Sequence, residues 1–137
     1  MKAYRDDELQ LREQWLAEEA AGISWWDFSR LDGRVVTEPL PWDYRQIVEK
    51  YLKPDFELID LGTGGGEFLL SLHHPYDKTH VTEAYPPNIE LCLARLTPLG
   101  IKVREAADES TIPYADNKFD IVLSRHESLL LTRCTEC

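Results

Sequence analysis

The 137-residue sequence contains few cysteines and no long apolar stretch. Three cysteines, two of them close to the C-terminus, do not form the framework of a small disulfide-stapled secreted domain. No apolar run approaches the roughly 18 residues that indicate a membrane span. The first ten residues are polar and acidic, unlike a secretory signal peptide. We therefore expect a cytoplasmic protein that does not enter a membrane.

Basic charge is also scarce, since 15 lysines and arginines face 25 acidic residues and give a net charge of −10. An acidic surface repels phosphate backbones. The basic residues are scattered and no basic patch is present in the sequence. Nucleic acid is therefore an unlikely partner, and the acidic balance favours a small molecule.

Metal-ligand patterns are equally weak. Cys134 and Cys137 have the spacing of a zinc or redox pair, but a zinc site of this kind needs a second pair of ligands. We predict that the protein has no metal site.

The pattern of apolar and polar residues changes near residue 54. Before it, the apolar spacing predicts helices at residues 6–21 and 43–52, separated by an aromatic, proline-interrupted segment. After it, strands alternate with helices. The strands are predicted at residues 57–61, 79–83, 101–106 and 119–124, and the helices at residues 67–73 and 87–99. This order predicts a parallel sheet with right-handed crossovers.

The chain is therefore divided into three parts. Residues 1–53 are expected to form a helical cap or lid, residues 54–128 an α/β core, and residues 129–137 an atypical tail.

A glycine-rich loop follows the first predicted strand and opens a helix, with the sequence DLGTGGGE from Asp60 to Glu67. Glycines permit positive φ and let a ligand approach the backbone. A phosphate-binding P-loop needs a lysine after its glycines, and a dinucleotide loop needs a glycine where Glu67 stands. A third pattern, an acidic residue followed by alternate glycines, matches Asp60, Gly62, Gly64 and Gly66.

This third pattern resembles motif I of the class I S-adenosylmethionine-dependent methyltransferases. The resemblance covers most of the chain after residue 55. Glu83 ends the second strand, where the family has an acidic residue that accepts hydrogen bonds from both ribose hydroxyls. The segment AADESTIPYADNKFDIVLS resembles the type 11 pattern GDAxxLPFxDxxFDxVxx, although Ala107 replaces a frequent glycine.

The resemblance implies S-adenosylmethionine as the cofactor and a Rossmann-like, three-layer, mostly parallel sheet with strand order 3-2-1-4. Asp60 would lie near the methionine amino group, Asp108 would bind the adenine amino group, and the Glu109 N–H would meet a ring nitrogen. The predicted cofactor-binding residues are Asp60, Gly62, Thr63, Gly64, Gly66, Glu83, Ala84, Asp108, Glu109 and Ser124.

Three further side chains are candidates for the base and for a lid over the cofactor. His126 is the candidate general base, with packing or capping as the alternative role. Trp42 and Tyr44 are candidates for an aromatic lid over the cofactor, and packing within the helical cap is the alternative.

The family usually has a seven-stranded sheet, of which this chain supplies four strands. We expect an incomplete methyltransferase whose fourth strand forms an unprotected edge, through which copies of the chain could associate. Two alternatives to methyl transfer remain open from the sequence: a non-catalytic cofactor-binding fragment and a nicotinamide-dependent oxidoreductase.

Overall fold

A computed structural model of the protein describes residues 2–22, 29–106 and 112–125, with side chains from residue 7 onward. The chain divides into two compact units, Met1–Val36 and Thr37–Cys137.

The first unit contains the long helix α1, Lys2–Ala21, which confirms the helix predicted at residues 6–21 and begins four residues earlier. Gly22 follows the helix in a left-handed conformation, with φ of 62°. Two arginines beyond the helix, Arg30 and Arg34, pair with Glu18 at 3.1 and 3.0 Å. These ion pairs are exposed, so each contributes little to the free energy of unfolding.

The second unit is built on a parallel sheet. The described residues form four strands: β1 Leu58–Leu61, β2 Thr79–Glu83, β3 Lys102–Glu105 and β4 Ile121–Ser124. The strand order is β3-β2-β1-β4, so the predicted fold class and strand order are confirmed. β1 is a central strand, and Asp60 lies opposite Val81 on one side and Leu123 on the other. β4 is an edge strand in the described part of the chain, and association through it stays a prediction.

One face of this sheet is covered by the helices α2 Tyr44–Tyr51, α3 Glu67–Ser71 and α4 Pro86–Arg95. Asp43 caps α2 as predicted, because its Oδ1 accepts a hydrogen bond from the Gln46 N–H at 2.8 Å. The apolar core between helices and sheet contains Val48, Leu58, Leu69, Val81, Cys92, Leu96, Ile101 and Leu123. Since α2 contributes Val48 to this core, it is part of the second unit.

The opposite face of the sheet carries a buried histidine. His80 is 1% exposed. Its imidazole ring packs edge-to-face against the rings of Tyr114 and Phe119, with centroid separations of 5.2 and 5.0 Å. Its Nε2 lies 2.9 Å from a carboxylate oxygen of Glu57. Burial lowers the pKa of His80, although the hydrogen bond to Glu57 opposes this change. His80 therefore packs as a neutral side chain in a central strand.

Candidate cofactor-binding site

The loop between β1 and α3 has a backbone that requires glycine at alternate positions. Gly62, Gly64 and Gly66 have φ of 62°, 64° and 76°, a region that side chains with a β carbon disfavour. At Gly66 a β carbon would also lie 2.9 Å from a methyl carbon of Leu96. The alternate glycines of the sequence motif are therefore required by the turn itself.

Glu83 ties this loop to the neighbouring strand β2. It is 4% exposed, and its Oε2 accepts a hydrogen bond from the Gly64 N–H at 2.8 Å. Its Oε1 accepts hydrogen bonds from the N–H groups of Ala84 and Tyr85, at 3.1 and 3.3 Å. A carboxylate has about four lone-pair sites, so these three donors leave some accepting capacity. The sequence placed Glu83 correctly at the end of β2, but it did not reveal that the carboxylate holds the glycine loop.

Helix α4 braces the other side of the loop. The Cys92 thiol donates to the Gly64 carbonyl at 3.1 Å, and Arg95 Nη1 donates to the Gly65 carbonyl at 3.0 Å. Burial raises the pKa of the Cys92 thiol to about 12, so it stays protonated and can donate. Sequence reasoning missed both residues. The signal that could have found them is their spacing with Leu96, which puts all three side chains on one helix face.

These contacts fix the direction of the peptide groups in the loop. The carbonyls of Gly64 and Gly65 point toward α4. In a trans peptide the N–H of the next residue points the opposite way, so the N–H groups of Gly65 and Gly66 point away from α4. The Gly66 N–H donates to the Thr63 carbonyl at 3.2 Å. The Gly65 N–H is therefore directed toward the side of the loop opposite α4.

Asp60 forms a second buried acid, at the end of β1, and it is 4% exposed. Burial raises the pKa of its carboxyl group to about 6. The Thr63 hydroxyl and the Arg125 guanidinium counteract part of this rise, and the nearby charge of Glu83 adds to it. Thr63 Oγ1 is itself buried and has no partner with good hydrogen-bond geometry among the described residues. A ligand with a polar group could satisfy this hydroxyl.

A cluster of rings and cationic groups lies beside Asp60. The Tyr44 and Phe68 ring centroids are 5.3 Å apart, and the Arg125 Cζ lies 4.6 Å from the Phe68 centroid and 5.9 Å from the Tyr44 centroid. The pKa of Tyr44 is raised by burial and, to a smaller extent, by the charge of Asp60. Tyr44 therefore lies within the electrostatic reach of Asp60, whereas the side chain of Trp42 is exposed.

Of the remaining predicted site residues, the structure describes one and the others lie outside the described ranges. Ser124 ends β4 opposite Leu61, one strand away from the glycine loop. Asp108, Glu109, His126 and the pair Cys134 and Cys137 lie outside the described residues, as does Ala107. Their roles stay predictions.

A parallel sheet of order β3-β2-β1-β4, with a left-handed glycine loop after β1 and a buried acid at the end of β2, belongs to the class of Rossmann-like α/β folds. The sequence model of the type 11 methyltransferase domain matches residues 59–132, which is more than half of the chain. The protein belongs to this family of S-adenosylmethionine-dependent methyltransferases.

A solved structure with similarity to the chain is an S-adenosylmethionine-dependent methyltransferase from Thermotoga maritima, described as a possible histamine N-methyltransferase. The two sequences are 21% identical, and the TM-score is 0.42. The similarity covers 58% of this chain and 34% of that one, so the chain spans about a third of the length of that protein. No curated protein matches the chain. None of the helices in the described ranges is long and apolar enough to cross a membrane.

Proposed function

We propose that the chain binds S-adenosylmethionine at the glycine loop and supports methyl transfer to a small-molecule acceptor. The observation that carries this proposal is the loop itself, whose left-handed glycines are held between Glu83 and α4. The family match supports methyl transfer as the reaction. The acidic composition of the chain supports a small-molecule acceptor over a nucleic acid.

The residues present fit the cofactor. The loop has bare backbone where a nucleoside or amino-acid group must approach closely, and the buried Thr63 hydroxyl makes no well-aligned hydrogen bond among the described residues. Two buried carboxylates, Asp60 and Glu83, lie at the ends of adjacent strands. S-adenosylmethionine offers an ammonium group and a ribose diol, both of which donate hydrogen bonds that carboxylates accept.

The proposed roles follow from these positions. Asp60 accepts from the amino group of the methionine portion. Glu83 accepts from the ribose diol at the lone-pair site that the N–H groups of Gly64, Ala84 and Tyr85 leave open. Gly62, Thr63, Gly64 and Gly66 form the wall against which the cofactor lies. Ala84 and Ser124 border it at the ends of β2 and β4.

Asp108 and Glu109 are proposed for the adenine ring, and Tyr44 and Trp42 for the lid. When bound, S-adenosylmethionine supplies an electrophilic sulfonium methyl group. The protein's own work is to align the acceptor with that group and to keep water out. A general base, for which His126 is the candidate, is needed only where the acceptor must lose a proton.

Calorimetric titration of S-adenosylhomocysteine and NADH in parallel tests the cofactor. We expect saturable binding of S-adenosylhomocysteine and none of NADH, and the reverse result would favour the oxidoreductase alternative. Methyl transfer from labelled S-adenosylmethionine to a panel of small amines, acids and phenols then tests the reaction. Binding without transfer to any acceptor would favour the non-catalytic alternative.

A further inference from the structure

Arg125 follows β4 at the same end of the sheet as the start of the glycine loop. β1 and β4 are parallel, and Leu61 lies opposite Ser124, so the next residues along each strand direction are Gly62 and Arg125. The guanidinium is kept in place by two rings, with its Cζ 4.6 Å from the Phe68 centroid and 5.9 Å from the Tyr44 centroid. A guanidinium over a ring face loses little freedom on binding and keeps its N–H donors at its edge.

Asp60 and Arg125 interact electrostatically but form no ion pair. The guanidinium lowers the pKa that burial gives to the Asp60 carboxyl group, so the two charges interact. Nevertheless, although the structure describes both side chains, no nitrogen of Arg125 lies within 4.0 Å of a carboxylate oxygen of Asp60. A buried anion and a nearby cation that do not pair directly leave a place for a ligand with the opposite arrangement of charges.

An amino-acid head group has that arrangement, with an ammonium and a carboxylate on one carbon atom. We propose that Arg125 binds the α-carboxylate of the methionine portion of S-adenosylmethionine, while Asp60 takes the neighbouring ammonium group. The planar fork of an arginine matches a carboxylate with two parallel hydrogen bonds. This inference rests on the proposed function and adds to it a residue that recognises one specific group of the cofactor.

A second arginine near the same ring provides a contrast. The Arg45 Cζ lies 5.9 Å from the Phe68 centroid. Its donors are committed to protein groups, since Nη1 bonds the Ser71 carbonyl at 2.9 Å and Glu49 at 3.1 Å, and Nη2 bonds the Ser71 hydroxyl. Arg45 therefore serves as a matched control with the same chemistry and a structural task.

The experiment compares two ligands that differ only in the carboxylate, S-adenosylhomocysteine and its decarboxylated analogue, which keeps the ammonium group. Calorimetry on the 137-residue chain should show that Arg125→Gln weakens S-adenosylhomocysteine binding by roughly tenfold or more. The affinity for the decarboxylated analogue should change by less than about twofold. Arg45→Gln should leave the ratio of the two affinities at its wild-type value.

The result that would overturn the inference is an equal loss for both ligands, or no loss for S-adenosylhomocysteine, on Arg125→Gln. A thermal melt without ligand reports whether that variant is folded. If it is not, Arg125→Lys replaces it, because lysine keeps the charge but lacks the planar fork, and the preference for S-adenosylhomocysteine over the decarboxylated analogue should then be weaker than that of wild type. An unchanged ratio would contradict the inference. Failure of the wild type to bind S-adenosylhomocysteine at all would instead overturn the proposed function, and this inference with it.

Discussion

The carboxylate of Glu83 accepts a hydrogen bond from the backbone N–H of Gly64, with 2.8 Å between Oε2 and the nitrogen. This bond joins the end of β2 to the middle of the glycine loop. The acid is therefore part of the loop's architecture in addition to its proposed contact with the ribose. Substitutions at Glu83 should consequently affect both stability and ligand binding.

Glu83→Gln tests this dual role. A glutamine places an amide donor among three backbone N–H donors, so at least one buried bond is lost. We expect the free energy of unfolding to fall by about 1–3 kcal/mol and the affinity for S-adenosylhomocysteine to fall by roughly tenfold or more. Urea unfolding and calorimetry measure the two effects. The control is Glu105→Gln, since Glu105 lies beside Glu83 on β3 and is exposed. Equal effects of the two substitutions would contradict the assignment.

Gly66→Ala tests the backbone of the loop. Its φ of 76° penalises any β carbon, and that carbon would also press on Leu96 at 2.9 Å. We expect a loss of about 2–4 kcal/mol in the free energy of unfolding, combining left-handed strain with overpacking. Gly100→Ala is the control, because Gly100 has φ of 97° and open space around it. It should lose only the strain, about 1–2 kcal/mol. A smaller loss at Gly66 than at Gly100 would argue against the close packing of Gly66 on Leu96.

The sequence was sufficient to predict the parallel sheet, its order and the position of the loop, because these depend on local periodicity and on turn chemistry. Gly62, Gly64 and Gly66 illustrate this, since the alternation in the sequence corresponds to alternate left-handed residues. The contacts of Cys92 and Arg95 could not be read in this way. They depend on how α4 packs against the loop, which is a tertiary relationship between residues about 30 positions apart.

Buried polar residues were also beyond the reach of sequence patterns. His80 is a polar residue within its strand, yet all five residues of β2 are buried. The same holds for the charge balance around Asp60, which depends on its burial and on Thr63, Arg125 and Glu83 from other parts of the chain. The residues that bind adenine and activate the acceptor were predicted within segments outside the described ranges, and they stay predictions.

Asp60→Asn should stabilise the ligand-free protein at neutral pH. The carboxyl pKa is about 6 in the folded state against a usual value of 3.8, so the buried charge lowers the free energy of unfolding above pH 6. The cost shrinks as the pH falls toward the unfolded-state pKa, and it vanishes only below about pH 3, where the group is protonated in both states. Removing the charge should therefore add on the order of 2–3 kcal/mol at pH 7.5 and only about 0.5 kcal/mol at pH 4.

Urea unfolding of wild type and Asp60→Asn at the two pH values measures this difference. The same variant should bind S-adenosylhomocysteine more weakly, because the proposed partner of the ammonium group has lost its charge. A variant that is destabilised by the same amount at both pH values would show that burial of the carboxylate carries no electrostatic cost.

Arg95→Gln tests the brace from α4. Arg95 binds both the Gly65 carbonyl and the Glu67 carboxylate, and both ends of the ion pair are exposed, so stability should change by less than about 1 kcal/mol. The affinity for S-adenosylhomocysteine should fall by about threefold to tenfold, since the Gly65 peptide loses its orientation. Glu67→Gln is the control, as it removes the ion pair and leaves the bond to Gly65. If both variants weaken binding equally, the ion pair and not the carbonyl contact positions the loop.

The central proposal is that the glycine loop binds the cofactor, and selective labelling of the glycines tests it directly. The chain has only seven glycines, of which Gly62, Gly64, Gly65 and Gly66 lie in the loop and Gly22, Gly33 and Gly100 lie elsewhere. Protein labelled with ¹⁵N at glycine alone can be titrated with S-adenosylhomocysteine and followed by two-dimensional NMR. We predict that the four loop signals shift and saturate together while the other three stay in place. Shifts confined to the three outer glycines, or no shift at saturating ligand, would show that S-adenosylhomocysteine does not bind at the glycine loop.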